Sequence, residues 1–401
     1  MKTKIKAFLA KDGTKSVISS LLCIVAGIFV GWLVLLILAL VSDKIPISHA
    51  FKGLVIILAG PFASGGLQNT QFVLGDMLFE AAPLLLTGLS VAIAFKTGLF
   101  NIGAPGQYLM GAMGSVIVAL SIPTTPQTAF FVWLLAMLVG TMCGMIWGMI
   151  PGFFKAVLGV NEVIVCIMTN WIAANVVSWV FFKNPQFINT AGGKTAYTIP
   201  TTANGIATPK LGLDKIFPGS NIDIGIFIAI GMAVLIFILL NKTTLGYELK
   251  ACGHNKNAAK YAGMNEKRNI VLSMAIAGGL AAMGASLYYL NGGAELAWNT
   301  YGKLPDTGFN GIPVALLASN NPLGVIFGSV FLRFIDKGGY NLAGFTAYNE
   351  YVSDLIIAVI IYFAGFAKLF GELLFRRRKS KKQKAAVKSD DAAQGKEEEN
   401  K

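Results

Sequence analysis

The sequence predicts an all-α, polytopic integral membrane protein of about ten transmembrane helices, and three observations predict it. Hydrophobic residues make up 55% of the 401-residue chain and charged residues only 13%, whereas a soluble domain carries about 25% charged residues. Mean hydropathy is +0.64, and the apolar residues fall in runs long enough to cross a bilayer core at about 20 residues per span. Only helices and closed barrels satisfy their backbone groups in lipid, so the runs are read as helices. The formal net charge of +13 gathers outside the runs, notably at both termini. It therefore reads as a topology signal, with no nucleic-acid partner.

Residues 1–15 carry Lys2, Lys4, Lys6, Lys11 and Lys15 and form a basic N-terminus expected in the cytoplasm. Ser16 to Val41 is too long for a signal-peptide core and lacks a clear small-residue cleavage site, so it is the first span. The apolar piece Phe51 to Ala59 is too brief to cross and is expected to lie at the outer surface or dip inward. Spans follow at residues 76–95, 105–122, 129–153 and 162–182. A polar loop at 183–221, with Pro185, Pro200, Pro209 and Pro218, falls outside by parity, although its lysines run against the positive-inside rule. Beyond a span at 222–241, the loop 242–268 holds six Lys/Arg against two Glu and is expected in the cytoplasm. Further spans at 269–290, 308–320, 322–340 and 351–370 make ten, which returns the C-terminus to the cytoplasm. The membrane domain thus covers 16–375, and the tail 376–401, with ten basic and five acidic residues, cannot bury enough to fold. It reads as a solvated anchor that touches anionic membrane lipid.

The stretch Thr87 to Ser115 is the working centre. Its apolar run gives way after Lys96 to a turn built from Gly98, Asn101, Gly103, Pro105 and Gly106, which cannot face acyl chains. Thr97-Gly98-Leu99-Phe100-Asn101 recurs approximately as Thr307-Gly308-Phe309-Asn310. An offset of five spans would make a 5+5 inverted repeat, with the first copy at the cytoplasmic edge and the second at the outer edge. Coincidence is the rival in a chain with 45 glycines.

No enzyme constellation is visible. His49 and His254 stand without nucleophile or paired ligand, and no P-loop or nucleophile elbow occurs. Cys23, Cys143, Cys166 and Cys252 have neither metal spacing nor a disulfide pattern. No catalytic residue, no metal site and no cofactor bound by this chain is expected. The acidic residues Asp76, Glu80, Glu162, Asp336 and Asp354 lie near span ends, which gives ion coupling little support.

Neutral polar residues form the richer set. Asn101, Gln107, Gly111, Ser115, Asn170, Trp171 and Asn310 are candidates for a solute path, Gln107, Gly111 and Ser115 sharing one helical face and Asn170 with Trp171 interrupting the fifth span. Amides and an aromatic suit an uncharged hydrogen-bonding solute such as a nucleoside or sugar. Helix-to-helix hydrogen bonding explains the same residues equally well. Gly140, Gly144 and Gly148 form a packing stripe, as do Ala277, Ala281 and Ala285. In the basic loop, Asn255 can cap a short helix through Ala258, Ala259 and Ala262 that Gly263 ends. Such a helix below the membrane is suited to a groove on another protein.

Three stretches, GLSVAIAFKTGLFNIGAPGQYLMGA (88–112), YELKACGHNKNAAKYAGMN (247–265) and GFNGIPVALLASNNPLGVIFGSVF (308–331), carry a resemblance. Over Met77 to Phe370 the chain resembles permease subunits of bacterial ABC importers for nucleosides and simple sugars, within the ribose and branched-chain amino acid permease group, and looks most like those of Gram-positive nucleoside importers. That resemblance implies a separate ATPase subunit that uses ATP, a second homologous permease subunit and an extracellular substrate-binding lipoprotein in the plasma membrane. It also implies that Gly253 to Asn265 docks on the ATPase. Many relatives have an acidic residue where this chain has Pro105, so no role of that acid carries over. The alternative is an ion-coupled secondary transporter of a small polar solute, which needs intramembrane carboxylates and no ATPase. A membrane scaffold would need only the packing stripes and basic tail.

Overall fold

The computed structural model describes residues 12–42, 44–299 and 303–366. Most of the basic N-terminus and all of the 376–401 tail lie outside them. Among the described residues the fold is helical, with two isolated β-bridges in the polar loop, Ile188 to Thr198 and Tyr197 to Ala297, and no strands. Thirteen helices carry the argument: α1 (Asp12–Val41), α2 (Ile47–Ala59), α3 (Leu67–Lys96), α4 (Ala104–Ser121), α5 (Ala129–Leu158), α6 (Glu162–Lys183) and α7 (Gly225–Lys242), then α8 (Thr244–His254), α9 (Lys256–Tyr261), α10 (Glu266–Tyr289), α11 (Asp306–Leu317), α12 (Pro322–Phe345) and α13 (Glu350–Gly365).

Seven segments among the described residues are long and apolar enough to cross a membrane. One of them, Ile47–Ser64, corrects the expectation that this region is too short. The helix begins at Ile47, and a 3₁₀ turn from Gly60 to Ser64 prolongs it to 18 residues. Its contacts run antiparallel to the later part of α12, from His49 beside Ala347 to Gly60 beside Phe334. The runs expected at 105–122, 308–320, 322–340 and 351–370 do not qualify: α4 falls short in hydropathy, α11 has 12 residues and α13 16, and α12 carries Arg333, Asp336 and Lys337.

The centre of the bundle is α3, α4, α5 and α10, packed closely because small residues meet there. A Cβ on Gly148 would meet the Met274 carbonyl, one on Gly144 the Ala282 side chain, and one on Gly140 the Ser286 hydroxyl. The glycine stripe of α5 therefore seats on Met274, Gly278, Ala282 and Ser286, one position along from the Ala277, Ala281 and Ala285 stripe, which is itself buried. Apolar side chains gain little from one another in lipid, so close backbone approach supplies the association.

Charged side chains occur inside the bundle and correct the expectation that they sit at span ends. Because α3 begins at Leu67, nine residues before the expected 76, Glu80 falls well inside it. Lys337 donates to Glu80 at 2.8 Å, and Arg333 pairs with Asp336 at 2.8 Å and with Glu80 at 3.8 Å. Beside this network Phe79 stacks on Tyr288 at 5.2 Å, and Tyr288, Tyr289 and Tyr108 continue as an edge-to-face series. Two cations against two carboxylates make a neutral set that ties α3 to α12, the arrangement by which ionised groups persist at membrane depth.

Outside the spans, Asp223 is buried ahead of α7 and accepts from the Gly225 N–H at 2.7 Å and from the Asn291 amide. Burial pushes its carboxyl up from the usual 3.8 to about 6, against the lowering pull of the Asn291 bond. The folded chain therefore binds this proton more tightly than the unfolded chain, and stability from this group falls as pH rises through 3.8 to about 6. Relative to Asp223→Asn, the wild-type protein should gain about 1.4 kcal/mol on going from pH 8 to pH 5, read as melting temperature in detergent. Gly144→Ile should lower the melting temperature sharply, since overpacking costs about 1–3 kcal/mol or more. Gly231→Ile should leave it nearly unchanged, because a Cβ there meets nothing within 4 Å.

Candidate functional site

The chain does not pass directly from α3 into α4. After Lys96 it turns at Gly98, whose φ of +72° favours glycine, and folds back along α3. Asn101 thereby reaches Ser90, about 9 Å back along α3 from Lys96 at a rise of about 1.5 Å per residue. Its amide nitrogen donates to the Ser90 hydroxyl at 2.9 Å and to Gln107 Oε1 at 2.8 Å, and Gln107 Nε2 donates back to Asn101 Oδ1 at 3.0 Å. Asn101, Gln107 and Ser90 are buried, so this amide pair closes the turn internally. The other face-mates are enclosed too: a Cβ on Gly111 would sit 2.5 Å from Ala282 Cα, and Ser115 donates to the Ala112 carbonyl at 3.1 Å. The face shared by Gln107, Gly111 and Ser115 packs on α5 and α10 and lines no opening, because the glycine stripes draw these helices together.

α4 starts inside the bundle and has no side-chain cap of its own. Gly103 precedes it and Pro105 lacks an N–H. The cap comes from another helix: the Gly106 N–H donates to Asn170 Oδ1 at 2.9 Å, and Asn170 Nδ2 donates to the Ile102 carbonyl at 2.9 Å. Asn170 lies about 12 Å along α6 from Glu162, and α6 runs unbroken past it. The expected interruption of this span is absent, because Asn170 spends its amide on a neighbouring backbone and leaves its own helix intact.

The recurrent motif is also placed differently from expectation. A Cβ on Gly308 would lie 2.5 Å from Pro105 Cα, so the starts of α4 and α11 abut within the bundle, where opposite membrane edges were expected. The half-buried Asn310 lies in the first half of α11. Between α6 and the start of α11 opens a cleft of about 310 Å³ lined by Ile167, Asn170, Trp171, Lys303, Leu304, Asp306 and Phe309. Trp171 is 43% exposed and Phe309 presents a second ring; Lys303 and Asp306 form an ion pair at 2.8 Å. From the expected path set, the cleft gathers Asn170 and Trp171 only. Phe309 within the motif and the Lys303 to Asp306 pair just before it escaped sequence reading because only neutral polar residues were weighed for the path. Arg333 and Lys337 were legible as i, i+4 cations inside an apolar run.

The basic loop folds into the expected short helix, α9, preceded by α8, which was not expected. Asn255 accepts from the Ala258 N–H at 3.1 Å, Gly263 ends the helix at φ +79°, and Asn265 caps α10 by accepting from Arg268 at 3.0 Å. Ala258, Ala262, Gly263 and Asn265 are exposed, and Tyr261, which the sequence reading passed over, is 94% exposed. Two expected docking residues face inward instead. Ala259 is 3% exposed, and Gly253 packs its backbone on Lys96 and Gly98, because only a residue without a side chain fits there.

A family model described as the permease component of the branched-chain amino acid transport system matches residues 73–365. The chain belongs to this family. The permease is 35% identical over 319 residues to the nucleoside ABC transporter permease protein NupB of Lactococcus lactis, covering 79% of this chain and 85% of that one. It is 34% identical over 321 residues to the guanosine ABC transporter permease protein NupP of Bacillus subtilis, covering 78% and 89%. The glucose ABC transporter permease protein TsgB13 of Haloferax volcanii is 30% identical over 312 residues, covering 75% and 78%. These relatives are transport components, and the permease is accordingly a multi-pass membrane protein and not an enzyme.

The amide lock of the permease should be energetically exposed to mutation. Gln107→Leu removes one partner from each atom of the Asn101 amide, leaving it Ser90 and the Gly103 N–H, and should destabilise the protein by about 1–3 kcal/mol, read by thermal unfolding in detergent. Ser115→Ala, which removes only a bond within its own helix, should cost much less.

Proposed function

We propose that this chain is the membrane-spanning subunit of an ATP-driven importer that moves nucleosides into the cell. The observation that carries the reading is the 35% identity, over 79% of the chain, to a nucleoside ABC transporter permease. The cleft adds chemical support. Trp171 and Phe309 offer apolar faces to a flat base, while Lys303 and Asp306 offer a donor and an acceptor to hydroxyl groups. A volume of about 310 Å³ suits a solute of nucleoside or monosaccharide size. The 30% identity to a glucose permease keeps simple sugars as the second reading.

In this reading ATP is hydrolysed by a partner subunit that docks on α9 through Asn255, Ala258, Tyr261, Ala262, Gly263 and Asn265. A second, homologous permease chain covers the exposed α6 residues beside the cleft, Ile164, Met168 and Trp179. An extracellular lipoprotein delivers the solute, so the permease needs only weak contacts. Both termini and the 242–268 loop lie in the cytoplasm, with ten crossings in a 5+5 arrangement. The ion-coupled alternative is weaker because Glu80 and Asp336 are already paired with Arg333 and Lys337.

Base stacking on an aromatic side chain is worth about 1–3 kcal/mol, so Trp171→Ala should reduce nucleoside uptake about tenfold and Trp171→Phe much less. Unchanged uptake in Trp171→Ala would take the cleft off the route. Ala262→Trp should abolish co-purification with the ATPase while membrane insertion persists. Uptake that survives ATP depletion and collapses with the ion gradient would favour the secondary transporter.

A further inference from the structure

We infer that Asn170 is a positioning residue that mechanically links the docking helix to the solute cleft. The inference rests on the permease reading above and adds how the two ends of the molecule communicate. The path is a series of backbone contacts. α9 follows α8, and at the end of α8 the backbone of Gly253 lies against Lys96 and Gly98, where a Cβ on Gly98 would fall 3.1 Å from Gly253 Cα. Thr97 is held to Ser273 of α10 by a buried hydroxyl pair at 2.7 Å. From Gly98 to Gln107 the segment moves as one piece, because the Asn101 and Gln107 amides close it and Ser90 fixes it to α3.

Asn170 then grips this segment by both amide atoms, accepting from Gly106 and donating to the Ile102 carbonyl, and it is only 2% exposed. The next residue along α6 is Trp171, which faces the cleft. A push on α9 that shifts the Gly98 turn therefore carries α6 and the Trp171 wall with it. Without Asn170 the turn keeps its internal lock but loses its amide grip on α6, and the contacts of Cys166 and Ala173 that remain are too weak to carry movement at the docking helix to the cleft.

A covalent substitute for the grip can be built from residues already in place. A Cβ on Gly103 would lie 3.1 Å from Cys166 Sγ and 3.3 Å from Cys166 Cβ, close to the Cβ separation of a disulfide. The φ of Gly103 is −80°, which any residue adopts. Oxidation of the Gly103→Cys and Cys166 thiols by a lipid-soluble oxidant, which takes two electrons and two protons as the S–S bond forms, would tie the same turn to the same helix.

The test uses the assembled importer in membrane vesicles and reads nucleoside taken up per ATP hydrolysed. Asn170→Ala should lower this ratio at least tenfold, and oxidised Gly103→Cys/Asn170→Ala should recover it to within about threefold, with loss again on reduction. A merely structural role for Asn170 would lower the amount of assembled complex without changing the ratio. An unchanged ratio in Asn170→Ala, or a reduced ratio that the disulfide fails to restore, overturns the link. If Asn170→Ala does not assemble, oxidised Gly103→Cys with Asn170 intact decides: retained uptake supports a turn and helix that move together, and blocked uptake overturns it. ATP-independent uptake by the wild-type complex would instead sink the permease reading, so the two failures are distinct.

Discussion

A helix that starts inside an apolar bundle leaves its first N–H groups without water, and the rest of this structure depends on how α4 resolves that problem. Gly103 offers no side chain and Pro105 no N–H, so the exposed donor at Gly106 needs an acceptor from elsewhere. Asn170 supplies it from α6 and uses its remaining amide atom on the Ile102 carbonyl. One side chain thus permits a broken helix at membrane depth and fixes the distance between that break and the wall of the cleft. The amide pair of Asn101 and Gln107 performs the same service for the turn itself, since a half-satisfied polar group there would cost more than an apolar one.

Close packing and charge pairing set the frame in which this happens. The glycines of α5 bring its backbone onto Gly278 and Ala282 of α10, which leaves room for α4 to lie across both. Glu80, Arg333, Asp336 and Lys337 tie α3 to α12, and α12 follows α11 by a tight turn in which Ser319 and Asn320 take positive φ. The cleft therefore sits where two helix starts, Pro105 and Gly308, meet between rigid neighbours.

Much of the class was legible in the residues. The turn at Gly98 to Gly106, the basic 242–268 loop and the cap at Asn255 all follow from local chemistry, and each appears where the sequence put it, whereas the bounds of several apolar runs moved. The polar set of Asn101, Gln107, Asn170 and Trp171 was singled out in the sequence for a solute path, and its members divide. Three are committed to holding the broken helix, and Trp171 together with Asn170 reaches the cleft. An amide reads the same in sequence whether its partner is a backbone or a solute, so periodicity could not make this division. Ala259 illustrates the same limit, because a helix of six residues shows no pattern that says which side faces the membrane domain.

Sequence by itself determined membrane residence, helicity and membership of a transport family, because these depend on the amount and spacing of apolar residues and on short motifs. Tertiary structure alone decided that the two Thr-Gly-Phe-Asn-like copies abut within the bundle, that Glu80 lies paired inside a span, and that Asn170 caps a helix other than its own. The physical reason is that each of these is a partnership between residues far apart in the chain: Asn170 with Gly106, Lys337 with Glu80, Gly308 with Pro105. A local pattern can announce an unsatisfied group or an uncompensated charge. It cannot name the distant residue that answers it.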